Sequence, residues 1–132
     1  MRTLWIDPFV SILAVAGPAW GHHPFDSEFD VNAPVRLSGT VTTVEWADPH
    51  VVIQLAVLDA GGQTRNWNFE GASPSVMEQK GWRRDTLKQG QQITVQGYRA
   101  KSEPFVAAAR LIVLPDGKSM SAADDADAGP KN

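Results

Sequence analysis

Residues 35–46 read VRLSGTVTTVEW, and the phase of their apolar residues decides the fold. Val35, Leu37 and Val41 alternate onto one face with Gly39, whereas Val44 and Trp46 fall in the opposite phase. Successive strand residues point to opposite sides of a sheet. A phase change inside one run therefore needs one extra residue, a bulge, near Thr42 and Thr43. Gly39 supplies a place for a sharp bend. A long strand that is both bent and bulged can belong to both sheets of a small barrel.

Downstream, Glu45-Trp46-Ala47-Asp48-Pro49-His50 connects this run to the next, and Pro49 biases Asp48 toward extended backbone. Residues 50–58 form a second strand with Val51, Ile53, Leu55 and Val57 on one face. Asp59-Ala60-Gly61-Gly62 is a hairpin turn, and residues 63–70 are a third strand in which Arg65, Trp67 and Phe69 alternate with polar residues. Ser73 as N-cap, Pro74 at the first helical position and Gly81 as the stop predict a short helix over residues 73–80. Residues 91–98 and 105–114 are the fourth and fifth strands, and Pro115-Asp116-Gly117 closes the domain. The expected fold is mainly β: a five-stranded barrel of the oligonucleotide/oligosaccharide-binding (OB) type, with one short helix between strands 3 and 4. A meander sheet with one helix shares the same string of elements.

Upstream, residues 24–34 are a polar lead-in. Phe25 and Phe29 are four apart, as in one helical turn, while Asp26, Glu28 and Asp30 alternate with them as in an extended arm. Asn32-Ala33-Pro34 reads as a turn. Residues 1–21 read as a signal peptide: Arg2, then the apolar run FVSILAVA at 9–16, then small residues. That run is too short to span a bilayer, which takes about 20 apolar residues. Cleavage after Gly21 leaves His22 first; cleavage after Ala19 leaves Trp20-Gly21-His22. The expected organisation is a signal peptide over 1–21, a barrel domain with its N-terminal arm over 22–118, and a disordered acidic tail over 119–132. The expected location is periplasmic or secreted, with no membrane span after cleavage.

Composition narrows the chemistry. The 132 residues are one domain's worth, and the absence of cysteine excludes a disulfide framework and thiolate catalysis. The net charge of −3 divides into −1 over residues 22–118 and −2 over the tail. A nearly neutral body argues against nucleic acid as a partner.

Several short motifs recur together: His22-His23-x-Phe25, Glu28-Phe29-Asp30, Gly39-Thr40-Val41, Glu45-Trp46-x-x-Pro49-His50 and Gly81-Trp82-x-Arg84-Asp85-x-Leu87-x-x-Gly90. As a set, spanning His22 to about Gly117, they resemble a family of small exported bacterial proteins, the domain of unknown function number 6152. The resemblance implies export and a small β-domain, and brings no established activity. Two positions depart from the family pattern: Pro24 stands where serine is usual after the histidine pair, and Asp48 where asparagine is usual before Pro-His. The second adds a charge beside His50.

The chain has three histidines in two places, and imidazole nitrogens favour copper, nickel or zinc. A mature amino terminus at His22 would chelate an ion through its α-amino group and ring, and His50 would add a third nitrogen in the T-shaped set that copper accepts. A mature terminus at Trp20 would instead present an amine, two peptide nitrogens and an imidazole, a square-planar set for Cu(II) or Ni(II). The expected metal residues are His22, His23, His50 and Asp48, with Glu45 as a further or outer ligand. Zinc fits less well for want of a fourth protein ligand.

Glu45, Asp48, His50 and Glu70 could also form an acid–base group, but no serine or cysteine stands in a nucleophile motif, and carboxylates at strand ends are usually surface charges. Trp46, Trp67, Trp82 and Tyr98 could stack on a ligand, although tryptophans of a small barrel also serve as core and end-plugs. The leading expectation is an exported accessory or binding module that takes copper or a related ion through its histidines. The alternative is a metal-free module that holds a small molecule, or another periplasmic protein, through aromatic residues of the barrel face and Glu45.

Overall fold

The computed structural model describes residues 25–125. In chain order these form α1 (Phe25–Glu28), β1 (Phe29–Glu45), β2 (Val52–Leu58), β3 (Thr64–Glu70), α2 (Pro74–Gln79), β4 (Gln92–Ala100), β5 (Val106–Val113) and β6 (Ser119–Ser121). β1 lies between β2 and β4, β3 pairs with β2, β5 pairs with β4, and a short parallel pairing of β3 with β5 closes the ring. This is the expected barrel, with the helix between strands 3 and 4.

The division of β1 follows its sequence. Pro34 to Thr40 face β4, and Thr40 to Glu45 face β2. The register slips between Val41 and Thr43, where the change of phase requires a bulge. Gly39 is buried at the crossing of the two halves, and a Cβ there would stand 2.5 Å from the Ala56 carbonyl oxygen. It is a point of close strand approach as well as a bend. Gly97 is tighter still: a Cβ would lie 1.7 Å from the Ala108 carbonyl oxygen, beside the irregularity between β4 and β5.

Inward residues of alternate phase fill the barrel: Ile53, Leu55, Phe69, Val95 and Ile112 are all fully buried. Each such side chain contributes about 1.5–3 kcal/mol by leaving water. α2 plugs one end. Ser73 Oγ accepts the Val76 N–H, Pro74 occupies the first helical position, Met77 enters the core, and Gly81 stops the helix at φ +94°. Trp82 then turns inward, 2% exposed, and its indole N–H donates to the Ser121 carbonyl at 2.7 Å.

Three details differ from the sequence reading. The lead-in is divided: residues 25–28 form one helical turn, with Phe25 and Phe29 ring to ring at 5.1 Å, and residues 29–34 are extended as the start of β1. The expected turn at 32–34 lies inside β1, in an irregular stretch between the Phe29–Ala100 and Pro34–Tyr98 pairs. The expected disordered tail begins too early: residues 119–121 form a sixth strand on β5, Met120 is in the core, and Ala122 is fully buried. Ala122 bonds through its N–H to the Arg110 carbonyl and through its carbonyl to the Ala72 N–H, filling the gap where β3 and β5 part. Three residues, Ser-Met-Ser, are too few to show an alternation. Residues 126–132 lie outside the described residues, as do the expected signal peptide, its cleavage sites, His22 and His23. Among the described residues, no helix is long and apolar enough to cross a membrane.

Candidate functional site

The outward face of the barrel carries a row across four strands. Val52 pairs with Glu70, Glu70 with Ala108, and Ala108 with Tyr98. Val51 and Ile53 point into the core, so Val52 and His50 share the outer face with Glu70. Alanine in the middle of the row leaves a dent. Around it lies a shallow hollow, open to solvent, lined by Phe25, Phe29, His50, Glu70, Gly71, Ala108, Ala109, Arg110, Ala123 and Asp124. Phe25 of α1 forms part of its wall and meets Tyr98 edge-on at 6.2 Å.

His50 stands just before β2, where the hairpin ladder continues irregularly through Gly71 N–H to the Val51 carbonyl and Val51 N–H to the Ala72 carbonyl. The Asp48–Pro49 bond before it is cis. Its Nδ1 is 3.0 Å from the Gly71 carbonyl oxygen. A carbonyl only accepts, so Nδ1 carries the proton and donates it. The neutral ring then has its lone pair on Nε2. This is the arrangement in which a backbone carbonyl orients a metal-ligating imidazole and fixes its tautomer.

Glu70 is half-buried. Burial lifts its carboxyl above the ordinary 4.5; the His50 charge pulls it down, and Glu28 and Glu103 push it up again. Among the described residues no hydrogen bond or ion pair holds it. Arg110 lines the same hollow, with its guanidinium carbon 5.6 Å from the Tyr98 ring centre and a buried Nη1 that has no acceptor.

The other expected site residues are dispersed. Asp48 and Glu45 are exposed and do not line the hollow. Trp67 and Trp82 are core residues, 4% and 2% exposed, and offer no face to a ligand. Trp67 stacks on Phe69 at 5.9 Å, takes the edge of Phe105 at 5.5 Å, and lies under the Arg99 guanidinium at 5.0 Å. Tyr98 is outward, but Phe25 and Arg110 cover it. Trp46 packs in a separate crevice with Val44, Met77, Trp82 and Arg84, its indole N–H buried without an acceptor. The aromatic platform expected on the barrel face is therefore not assembled.

His50 is the one metal residue of the sequence reading that sits in the hollow; Glu70, Arg110 and Phe25 join it there. The turn at residues 59–62 fixes the Val52–Glu70 pairing, so the diagonal of His50 to Glu70 can be worked out from the hairpin alone. Arg110 has no such signal, because it arrives through the parallel β3–β5 closure. Among the described residues, no three of His, Cys, Asp or Glu converge closely enough to hold an ion by themselves. The hollow is lined by one imidazole, His50, two carboxylates, Glu70 and Asp124, and one guanidinium, Arg110.

No curated protein matches the chain. Residues 10–106 match the family of unknown function DUF6152, a span that takes in all three histidines, the bulged first strand, the hairpin and the helix. The chain belongs to the DUF6152 family.

Proposed function

We propose that the protein is an exported, periplasmic accessory module that binds a single transition-metal ion, copper in preference to zinc, at His50. The observation that carries this reading is the Nδ1 hydrogen bond to Gly71, which leaves the lone pair of the neutral ring on Nε2, at a residue that lines a solvent-open hollow. The sequence position of His22 supports it. Phe25 lines the same hollow, and His22 is only three residues before it. At 3.8 Å per residue, roughly 11 Å of chain separates them, a reach that includes the hollow. If cleavage falls after Gly21, the α-amino group and ring of His22 together with His50 make three nitrogens suited to copper. His23 is the alternative arm ligand. Export rests on the apolar run and small residues of 1–21.

The test is calorimetric titration with Cu(II) of protein carrying its native N-terminus, comparing wild type with His22→Ala, His23→Ala and His50→Ala. A joint site predicts that His22→Ala and His50→Ala each weaken binding about tenfold or more. Binding should also weaken as pH falls through the imidazole range, because protonated imidazole does not ligate. Wild-type affinity in His50→Ala would show that the ion is held without His50 and overturn the joint site.

A further inference from the structure

We propose that the outer face of the β2–β3 hairpin binds an uncharged oligosaccharide through the side-chain amides of Gln54, Asn66 and Asn68. The inference is independent of the metal reading above.

β3 reads TRNWNFE over Thr64–Glu70. Trp67 and Phe69 are buried, so Asn66 and Asn68 take the opposite, outward phase. Asparagine is depleted in strands, where β-branched and aromatic residues fit the pleat better. Two asparagines in seven residues work against the strand that holds them, and such local conflicts concentrate at functional positions.

Pairing turns these residues into an array. Across the hairpin Asn68 faces Gln54, Asn66 faces Ala56 and Thr64 faces Leu58, while Gln54 also faces Thr43 of β1. Neighbouring strands lie about 4.8 Å apart, and same-face residues of one strand roughly 6.7 Å apart, so the three amides form a flat triangle. The Thr43 hydroxyl donates to Gln54 Oε1 at 2.8 Å, which pins that amide and leaves its NH2 group to donate outward. Among the described residues, no hydrogen bond holds the Asn66 or Asn68 amide. Leu58 shares the face and is 69% exposed, and with Ala56 it lays an apolar strip beside the amides.

The chemistry of the occupant follows from these groups. Each amide has both donors and an acceptor, which suits hydroxyls that also do both. Sugar rings present hydroxyl edges and apolar C–H faces, and the latter fit the Leu58–Ala56 strip. No charged side chain stands in these rows; the carboxylates Glu45 and Glu70 come in the next row, on either side of Val52. Arg65 and Arg99 are turned onto the Phe105 and Trp67 rings. A face without cations does not hold a phosphate backbone. A face without tryptophan, tyrosine or arginine lacks the usual anchors of a protein interface. Because the face is flat and not concave, binding is weak.

The experiment is a nuclear magnetic resonance titration of nitrogen-15-labelled, exported protein in chelator. The probes are cellohexaose, maltohexaose, chitohexaose and a thymidine dodecanucleotide, each to about 10 mM. At least one hexasaccharide should shift the side-chain NH2 signals of Gln54, Asn66 and Asn68. Asn66→Thr and Asn68→Thr remove an amide but improve the strand, so each should keep or raise the urea midpoint. Each should also weaken that sugar about fivefold or more. Arg83→Ala, on the loop after α2, should bind as wild type. Unmoved amide signals with all three sugars, wild-type sugar affinity in both threonine variants, or shifts with the oligonucleotide alone would overturn the proposal.

Discussion

Two carboxylates sit at opposite ends of the β2–β3 hairpin and are treated in opposite ways. At the turn, Asp59 accepts the N–H groups of Gly61 and Gln63 at 2.9 and 2.8 Å and the Arg65 Nε–H at 3.0 Å. The Gln63 backbone N–H, then the Arg65 side chain, hold its carboxyl below the ordinary 3.8. Arg65 in turn lies over the exposed Phe105 ring, which meets Trp67 nearly at right angles. At the other end, Glu70 is half-buried with no such partner, and burial pushes its carboxyl up. Asp59 is spent on shaping a turn. Glu70 is held at a cost in a hollow that His50 also lines. A group that the fold leaves unsatisfied, next to one that it orients with care, is where a ligand is expected.

The contrast can be broken most severely at the floor of the hollow. Gly97→Ala would drive a methyl into the Ala108 carbonyl under the Tyr98–Ala108–Glu70 row. We expect a loss of about 3 kcal/mol or more, read as a lowered urea midpoint or failure to fold. An unchanged midpoint would mean that β4 and β5 yield easily there.

A smaller effect is expected at the turn. Asp59→Ala removes three hydrogen bonds, one of them the ion pair to Arg65, and should lower the melting temperature without altering metal binding. Its pH dependence has a definite sign. The folded pKa is depressed, so the stabilisation is present above the ordinary 3.8 and disappears as pH falls through the lower folded value. Wild type and variant should therefore converge in acid.

Glu70→Gln should act in the opposite direction and least of all. Its folded pKa is raised, so the folded protein holds the proton more tightly than the unfolded chain, and stability declines as pH rises from the ordinary 4.5 through the folded value. In metal-free protein at neutral pH the amide removes that penalty. The urea midpoint should stay level or rise slightly, with the advantage gone in acid. A lower midpoint for metal-free Glu70→Gln would mean that the carboxylate has a structural partner.

The barrel was legible because its instructions are local. The phase slip of 35–46, the Asp59–Gly62 turn and the Ser73-Pro74 cap each act within a few residues, and each appears where the sequence puts it. The site was less legible because it is assembled by pairing. His50 and Glu70 are 20 residues apart, and only the hairpin register makes them neighbours. Asp48 looked the better partner by proximity in sequence, yet the loop carries it into solvent. The tryptophans could not be sorted by type alone. Trp82 has an acceptor in β6, a strand too short to foresee, and is buried with its N–H satisfied. Trp46 has none, and nothing in the structure explains its unpaired N–H.

The most direct test of the account is the metal content of protein exported to the periplasm and purified with its native N-terminus, without added chelator or metal. The account predicts copper near one equivalent per chain in wild type, little in His50→Ala, and wild-type content in Asp59→Ala. Metal-free wild type, or equal copper in wild type and His50→Ala, would contradict it.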